Sequence, residues 1–291
     1  MNNTTKTIQE TAMLVSLTVR KWSGRVSDKA AAKDIATANG AQGDVVKVTK
    51  SLVFDQVLDH VTKLEGEARR ELYSLTLPWQ DDGRRLLSAK AYMKLTQKMA
   101  VHKAKFDKLA DDVAGKYEIM KDEARVRLAG LFNENDYPES IRGSYSFEVR
   151  IEPVANVDDI RVGLGEGERQ KIADQLKSQI EASQVMAKRD IYMRAQKAVS
   201  HMAEKLAGFD PSKDGKDRGT FRDSIVTNVE ELVGVLDDLN FDDDGSISAL
   251  GDQLKKLTSA PAEELRTDAV KRAEASKTAD EIMDIMKGYC G

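Results

Sequence analysis

The chain has 291 residues, 41% of them apolar, enough to bury a substantial core without disulfides or a bound metal as staples. Charged residues make up 32% and aromatics only 5%, a balance that fits long solvated helices joined by narrow apolar seams and argues against a thick, aromatic-rich enzyme core. With 45 basic and 49 acidic side chains the net charge is −4, so no global field draws the chain to nucleic acid or to an anionic membrane, and any nucleic-acid contact has to be local.

In chain order, Met13, Val15, Leu17 and Val19 alternate with more polar residues and predict a half-buried strand, although Ile8, Ala12, Val15, Val19 and Trp22 also fall at helical spacing. The alanine-rich stretch Ser27 to Asn39 predicts a short helix. After the turn signal Gly40-Ala41-Gln42-Gly43, Val46, Val48, Leu52 and Phe54 alternate again, so the first 87 residues read as a small α+β base. Phe54, Val57, Leu58, Val61, Leu64, Ala68 and Leu72 form a helical stripe that ends before the loop Leu77-Pro78-Trp79-Gln80-Asp81-Asp82-Gly83.

A long helix follows, with Ser88 as its N-cap and Leu95, Met99, His102, Phe106, Leu109 and Val113 along a seam that continues through Tyr117, Met120, Ala124 and Leu128. Between Gly143 and Val162 the period changes to two, with Tyr145, Phe147, Val149 and Ile151 facing one way and Ile160 to Val162 offering a second strand. A second long helix runs from Glu166 to Leu206, burying Ile172, Leu176, Ile180, Ala187, Ile191, Ala198 and Met202. Each long helix has roughly 40 residues, or about 60 Å.

Two amphipathic helices of equal length on either side of a compact insert bury each other's seams most economically by folding back on one another. The expected fold is therefore mainly α with a minor β part: a long antiparallel helical hairpin over 88–208 with a β-rich tip at about 131–165, packed on the base and on a C-terminal helical region over 209–291. Within that last region, Ile225, Val229, Leu232, Val233 and Leu236 mark one helix and Leu250, Leu254 and Leu257 another, with two weaker helices after Pro261.

Chemical motifs are few. Asn240-Phe241-Asp242-Asp243-Asp244-Gly245-Ser246-Ile247-Ser248 lies between two predicted helices as a calcium loop would, with Asn240, Asp242 and Asp244 in ligand register. Its twelfth position is Gly251 where a bidentate carboxylate is required, so the loop reads as an acidic turn and no metal is expected. Gly163-Leu164-Gly165-Glu166-Gly167-Glu168 has the context of a phosphate loop, but Glu168 stands where the third glycine belongs and would repel a phosphate.

His60, His102 and His201 have no partners at metal-ligand spacing, and there is no nucleophile elbow, so neither a cofactor nor an enzymatic activity is expected. The lone cysteine, Cys290, allows no internal disulfide and fits a reducing compartment. Residues 1–6 lack the features of a secretion signal and no run of about 18 apolar residues occurs, so a cytoplasmic protein without membrane contact is the expectation. The basic pairs Arg69-Arg70, Arg84-Arg85 and Lys188-Arg189 lie close to acids and read as solvated helix faces. Trp22 and Trp79, at element boundaries beside polar turns, and Tyr145 and Phe147 on the β segment are the candidate partner-binding residues.

Several strings carry a resemblance: Leu17 through Trp22-Ser23-Gly24, Leu77-Pro78-Trp79 with Asp82-Gly83 and Leu86-Leu87, Leu131-Phe132-Asn133 with Asp136-Tyr137-Pro138, Phe147-Glu148-Val149-Arg150, Val199-Ser200-His201-Met202 and Phe221-Arg222-Asp223-Ser224. Over about residues 10–240 the chain resembles an uncharacterised family found in bacteriophages and some bacteria. Its members lie beside MoxR-type AAA+ ATPases and von Willebrand factor A proteins, which implies a partner or adaptor role by association alone. The expected function is accordingly a non-enzymatic phage scaffold or adaptor in the host cytoplasm, acting through protein–protein contacts, with an AAA+ ATPase as candidate partner. The alternative is a nucleic-acid-binding protein of phage replication or recombination. A homo-oligomer stays open, because a heptad seam is satisfied equally well within a hairpin or between chains.

Overall fold

The computed structural model describes residues 7–42, 44–54, 56–80, 82–156, 163, 165–213 and 218–290. The chain is mainly helical with a minor β part. It divides into two compact units, each assembled from separated stretches: a first from Met1–Ser16, Tyr73–Leu95 and Arg150–Gly291, and a second from Leu17–Leu72 and Thr96–Val149.

In the first unit, α1 (Ile8–Thr11) leads into β1 (Ala12–Arg20), the strand favoured by the alternation of Met13 to Val19. Strand β4 (Leu77–Pro78) and strand β5 (Arg85–Ser88) follow from the segment read as a loop and helix entry. With β6 (Ser146–Pro153) they form a sheet of order β4-β5-β1-β6, in which Ala12 lies opposite Ser88 and Leu77 opposite Leu86. Ser88 still caps a turn, its Oγ accepting from Ala91 N at 3.1 Å, but the long helix α4 (Tyr92–Leu128) starts beyond that turn.

Helix α5 (Glu166–Ala207) has 42 residues and matches its expected span. It begins where the Glu168 carboxylate accepts from the Gly165 amide at 3.0 Å, so the chain's own acid occupies the helix start that a phosphate would need. Its buried face runs through Ile180, Ala187, Ile191, Ala195, Val199, Met202 and Leu206. That face is covered within the unit by α6 (Asp223–Leu239) and α9 (Ala269–Cys290). The N-terminal part of α5 is the more solvated, with Ile172 exposed, and Ala195 and Val199 are fully buried where Ala198 was expected. Helix α7 (Gly245–Leu257) packs on α6 and α9 through Ile247, Leu250, Leu254 and Leu257, and α8 (Ala262–Thr267) adds Leu265. Trp79, Leu14, Leu77 and Leu86 close the same core from the sheet side.

The second unit contains the remainder of β1, then β2 (Arg25–Ser27), α2 (Lys29–Ala38), β3 (Thr49–Ser51), α3 (Val57–Ser74) as far as Leu72, α4 from Thr96, and the start of β6. Of the expected strand through Val46 to Phe54 only Thr49 to Ser51 is extended and paired, antiparallel to β2. Asp28 caps α2, accepting from Ala31 N at 3.0 Å, and the buried Lys50 ammonium lies 3.0 Å from Asp28, 2.8 Å from Asp136 and 3.0 Å from the Leu131 carbonyl. Helix α3 buries Val61, Leu64, Ala68 and Leu72, and α4 buries Met99, Phe106, Val113, Tyr117, Met120 and Ala124 of the seam read from the sequence, with Ala110 fully buried where Leu109 was expected. The polar member of that seam, His102, meets Glu71 of α3 at 2.6 Å, while Lys98 pairs with the same carboxylate.

The segment expected to form a tip is a strand, as its period of two requires, but its partner is β1 rather than a neighbour in sequence. Alternation identifies a strand and says nothing of which strand it joins. The companion strand expected at Ile160 to Val162 lies outside the described residues. Because Leu254 is fully enclosed between α6, α7 and α9, Leu254→Ala should lower unfolding free energy by about 2–5 kcal/mol in urea titrations of the full chain.

Candidate functional site

Gly24 shapes a cleft of the second unit. It follows Trp22 and Ser23 at the end of β1 with φ +61°, a left-handed conformation that favours glycine, and a Cβ here would stand 2.7 Å from Leu58 Cδ1. The turn can therefore lie against the start of α3 while Gly24 O accepts from Leu52 N at 2.7 Å. Between the turn Lys21 to Arg25, the stretch after β3 and the first turns of α3 is a cleft of about 490 Å³. Trp22, Val53, Phe54, Leu58 and Val61 supply its apolar lining, and Tyr145 contributes a wall.

Most of its polar groups are already engaged. Lys21 Nζ lies 2.8 Å from Glu65 and donates to Thr62 Oγ1 at 3.0 Å, and Thr62 in turn donates to the Leu58 carbonyl at 3.0 Å. Burial alone would raise the Glu65 carboxyl, but hydrogen bonds from Lys21 and Arg69 hold it below its ordinary value. Ser23 Oγ accepts from its neighbour's amide, Arg25 N, at 3.3 Å. Arg25 and Asp59 have no ion pair among the described residues, so the lining adds one unanswered charge of each sign.

Tyr145 is the exception. Its side chain is 4% exposed, held by Phe106 at a ring distance of 6.3 Å, and its hydroxyl is buried without a hydrogen-bond partner among the described residues. Arg142 fixes the backbone beside it, donating to the Tyr145 carbonyl at 3.4 Å while bonded to Asp111 at 2.6 Å. Burial pushes the Tyr145 phenol up to about 12, so it stays protonated, a donor without an acceptor. A buried hydroxyl left in that state costs about 1–3 kcal/mol.

Of the four candidate partner-binding residues, the cleft brings together two, Trp22 and Tyr145. Trp22 is half-buried and meets Tyr117 edge-on at 5.8 Å. Phe147 is 2% exposed and packs on Phe106 at 5.6 Å, and Trp79 is 3% exposed in the core of the first unit, so neither presents a free surface. Gly24, Phe54, Leu58 and Thr62 were not anticipated as site residues. The one sequence signal pointing to them was the Ser-Gly turn directly after a boundary tryptophan.

The acidic loop has a structural explanation. Asn240 Oδ1 accepts from Asp244 N at 2.8 Å and its Nδ2 donates to Asp244 O at 3.0 Å, while Asp244 caps α7 by accepting from Ser246 N. Lys188 of α5 lies 2.7 Å from Asp242 and 2.8 Å from Asp244, and Lys90 lies 2.7 Å from Asp243. Ammonium groups thus stand where a calcium ion would have to bind, and Gly251 is buried against Leu236 in α7. Among the described residues no three His, Cys, Asp or Glu side chains are grouped to hold a metal, and no helix is long and apolar enough to cross a membrane. Compared with protein-family models, with curated proteins and with solved structures, the chain matches none of them.

Tyr145→Phe removes a hydroxyl that makes no bond, so thermal and urea unfolding should show unchanged stability or a gain of up to about 2 kcal/mol. A loss above about 1 kcal/mol would mean that the hydroxyl is bonded. The loop makes a separate prediction. The hydrogen bond from Lys188 lowers the Asp244 carboxyl from its ordinary 3.8, so this pair stabilises the fold above that value and the contribution disappears as pH falls through the folded value. In melting curves from pH 7 downwards, the native chain should be more stable than Lys188→Met near neutrality, and the difference should shrink once the pH passes below 3.8.

Proposed function

We propose that this chain acts by binding, as a non-catalytic adaptor that receives a segment of a partner protein in the cleft between Trp22 and Tyr145. The observation that carries the reading is a half-buried tryptophan over an apolar lining of Val53, Phe54, Leu58 and Val61 in an open cleft. Aromatic side chains set in partly desolvated pockets are the usual anchors of protein contacts. No histidine or cysteine lines the cleft.

The resemblance to a phage family with AAA+ ATPase and von Willebrand factor A neighbours makes such an ATPase the first partner to test. The nucleic-acid reading has less support from the basic pairs. Arg69 bonds Glu65, Arg84 pairs with Asp82, and Lys188 pairs with the acidic loop, so these cations are answered within the chain.

A photo-crosslinking residue placed at the exposed Ser23 should form one discrete protein adduct in cells, and Trp22→Ala should abolish it. The same residue at Glu118, on the solvated face of α4, serves as the control. Equal labelling from both positions, or salt-sensitive binding of DNA in anisotropy measurements without a protein adduct, would overturn the reading.

A further inference from the structure

Besides the Trp22 cleft, the second unit has a concavity of about 670 Å³ between α2 and the stretch Asp44 to Val48. Lys29, Ala32, Lys33 and Ala36, one stripe of α2 at three- and four-residue spacing, line one wall, and Val46, Lys47 and Val48 line the other. Lys29, Lys33 and Lys47 are exposed, and their ammonium groups make no ion pair or hydrogen bond among the described residues. The lining holds a single acid, Asp44. Asp28, next to Lys29 in sequence, is engaged by Ala31 N and by Lys50, and Asp34 of α2 lies outside the lining. Other lysines of this unit are answered where they border a cleft or a seam: Lys21 by Glu65, Lys50 by Asp28 and Asp136, and Lys98 by Glu71. Three unanswered cations against one acid give this concavity a net positive field.

The ribbon β2–β3 joins the two clefts. Arg25 and Ser51, opposite one another in register, border the Trp22 cleft, and Ser27 with Val48, the residue before β3, borders the lysine cleft. Arg25, Ser27, Thr49 and Ser51 are all exposed, so an open polar face runs from one cleft to the other over two residues of strand, about 7 Å.

We infer that the lysine cleft takes an extended acidic segment of a partner protein, with carboxylates on alternate residues, adjoining the apolar part that enters the Trp22 cleft. This rests on the binding reading above and names the charge of the segment bound. Lys29 and Lys33 are one helical turn apart, about 6 Å. Side chains that face one way from an extended chain are about 7 Å apart, so two carboxylates at that spacing match the two ammonium groups, and Lys47 on the opposite wall supplies a third. Ala32, Ala36, Val46 and Val48 between the charges offer apolar surface to the stems of those side chains. A nucleic acid suits the lining less well. It contains no aromatic ring on which a base could stack and no arginine to fork a phosphate.

The test titrates the full chain at low salt with an eight-residue peptide alternating Glu and Thr, with its analogue carrying Gln in place of Glu, and with an oligothymidylate of equal length, followed by amide chemical shifts of α2 and residues 44–48. Exposed ion pairs are worth up to about fivefold each, so the Glu peptide should bind about tenfold more tightly than the Gln peptide and lose that advantage as salt is raised. Lys29→Gln, Lys33→Gln and Lys47→Gln combined should bring the Glu peptide down to the affinity of the Gln peptide. The same change of charge at Lys63, Lys105 and Lys108, which are exposed and line neither cleft, should alter its affinity by less than about twofold. Equal affinity of the two peptides, an equal loss in both variants, or no shifts in α2 with either peptide would overturn the inference. Tighter binding of the oligothymidylate than of the Glu peptide would assign the lysines to nucleic acid and overturn it as well. In each case the crosslink from Ser23 decides the adaptor reading separately. Should the triple variant fail to fold, the ranking of the three probes on the native chain is decisive by itself.

Discussion

Phe106 touches the rings of both Tyr145 and Phe147, at 6.3 and 5.6 Å, and on that contact the second unit's binding surface depends. It lies fully buried on the α4 seam, one helical turn beyond His102. Beside it Arg142, bonded to Asp111, donates to the Tyr145 carbonyl, so the Tyr145 ring and its backbone are both held.

Three polar groups inside the seams are answered from a different element. His102 of α4 is met by Glu71 of α3, Lys50 of β3 by Asp28 and Asp136, and the acids around Asn240 by Lys188 and Lys90. An ion pair across elements adds little net stability, yet removing one partner leaves a charge poorly solvated, so such pairs specify register more than they strengthen the fold. The loop at Asn240 to Ser248 illustrates the consequence. Its carboxylates have calcium spacing because a tight capped turn between helices also calls for Asn, Asp and Gly in that order, and the cation that answers them is a lysine of α5.

The helices were legible in the sequence because periodicity is a local property. The seam through Met99, Phe106, Val113 and Tyr117 and the span of α5 could both be read before any contact was known. What each face packs against is not local. Apolar stripes on α5, α6 and α9 all satisfy the same rule, so their packing on one another within the first unit could not be read from any one of them. Strands suffered most, since β4 and β5 are too short to show a period and β6 pairs with a strand from the other end of the chain. At the cleft, Trp22 and Tyr145 were visible as aromatics at boundaries, while Phe54, Leu58 and Thr62 read as ordinary helix and strand residues until Gly24 brought the turn against α3.

Aromatic residues are scarce in this chain at 5%, and their placement in the second unit is therefore informative. Trp22 meets Tyr117, Phe132 stacks on Tyr137, and Phe106 holds Tyr145 and Phe147. In the first unit leucine, alanine and valine fill most of the helix seams, alongside Trp79, the stacked Tyr192–Tyr289 pair and the tilted Phe209–Phe221 pair. Rings are the side chains that can build a wall with a defined face and a polar tip. Two of the three buried tyrosine hydroxyls of this unit are tied to backbone carbonyls, so those rings are fixed at both ends, while the third, that of Tyr145, is held by its ring alone among the described residues.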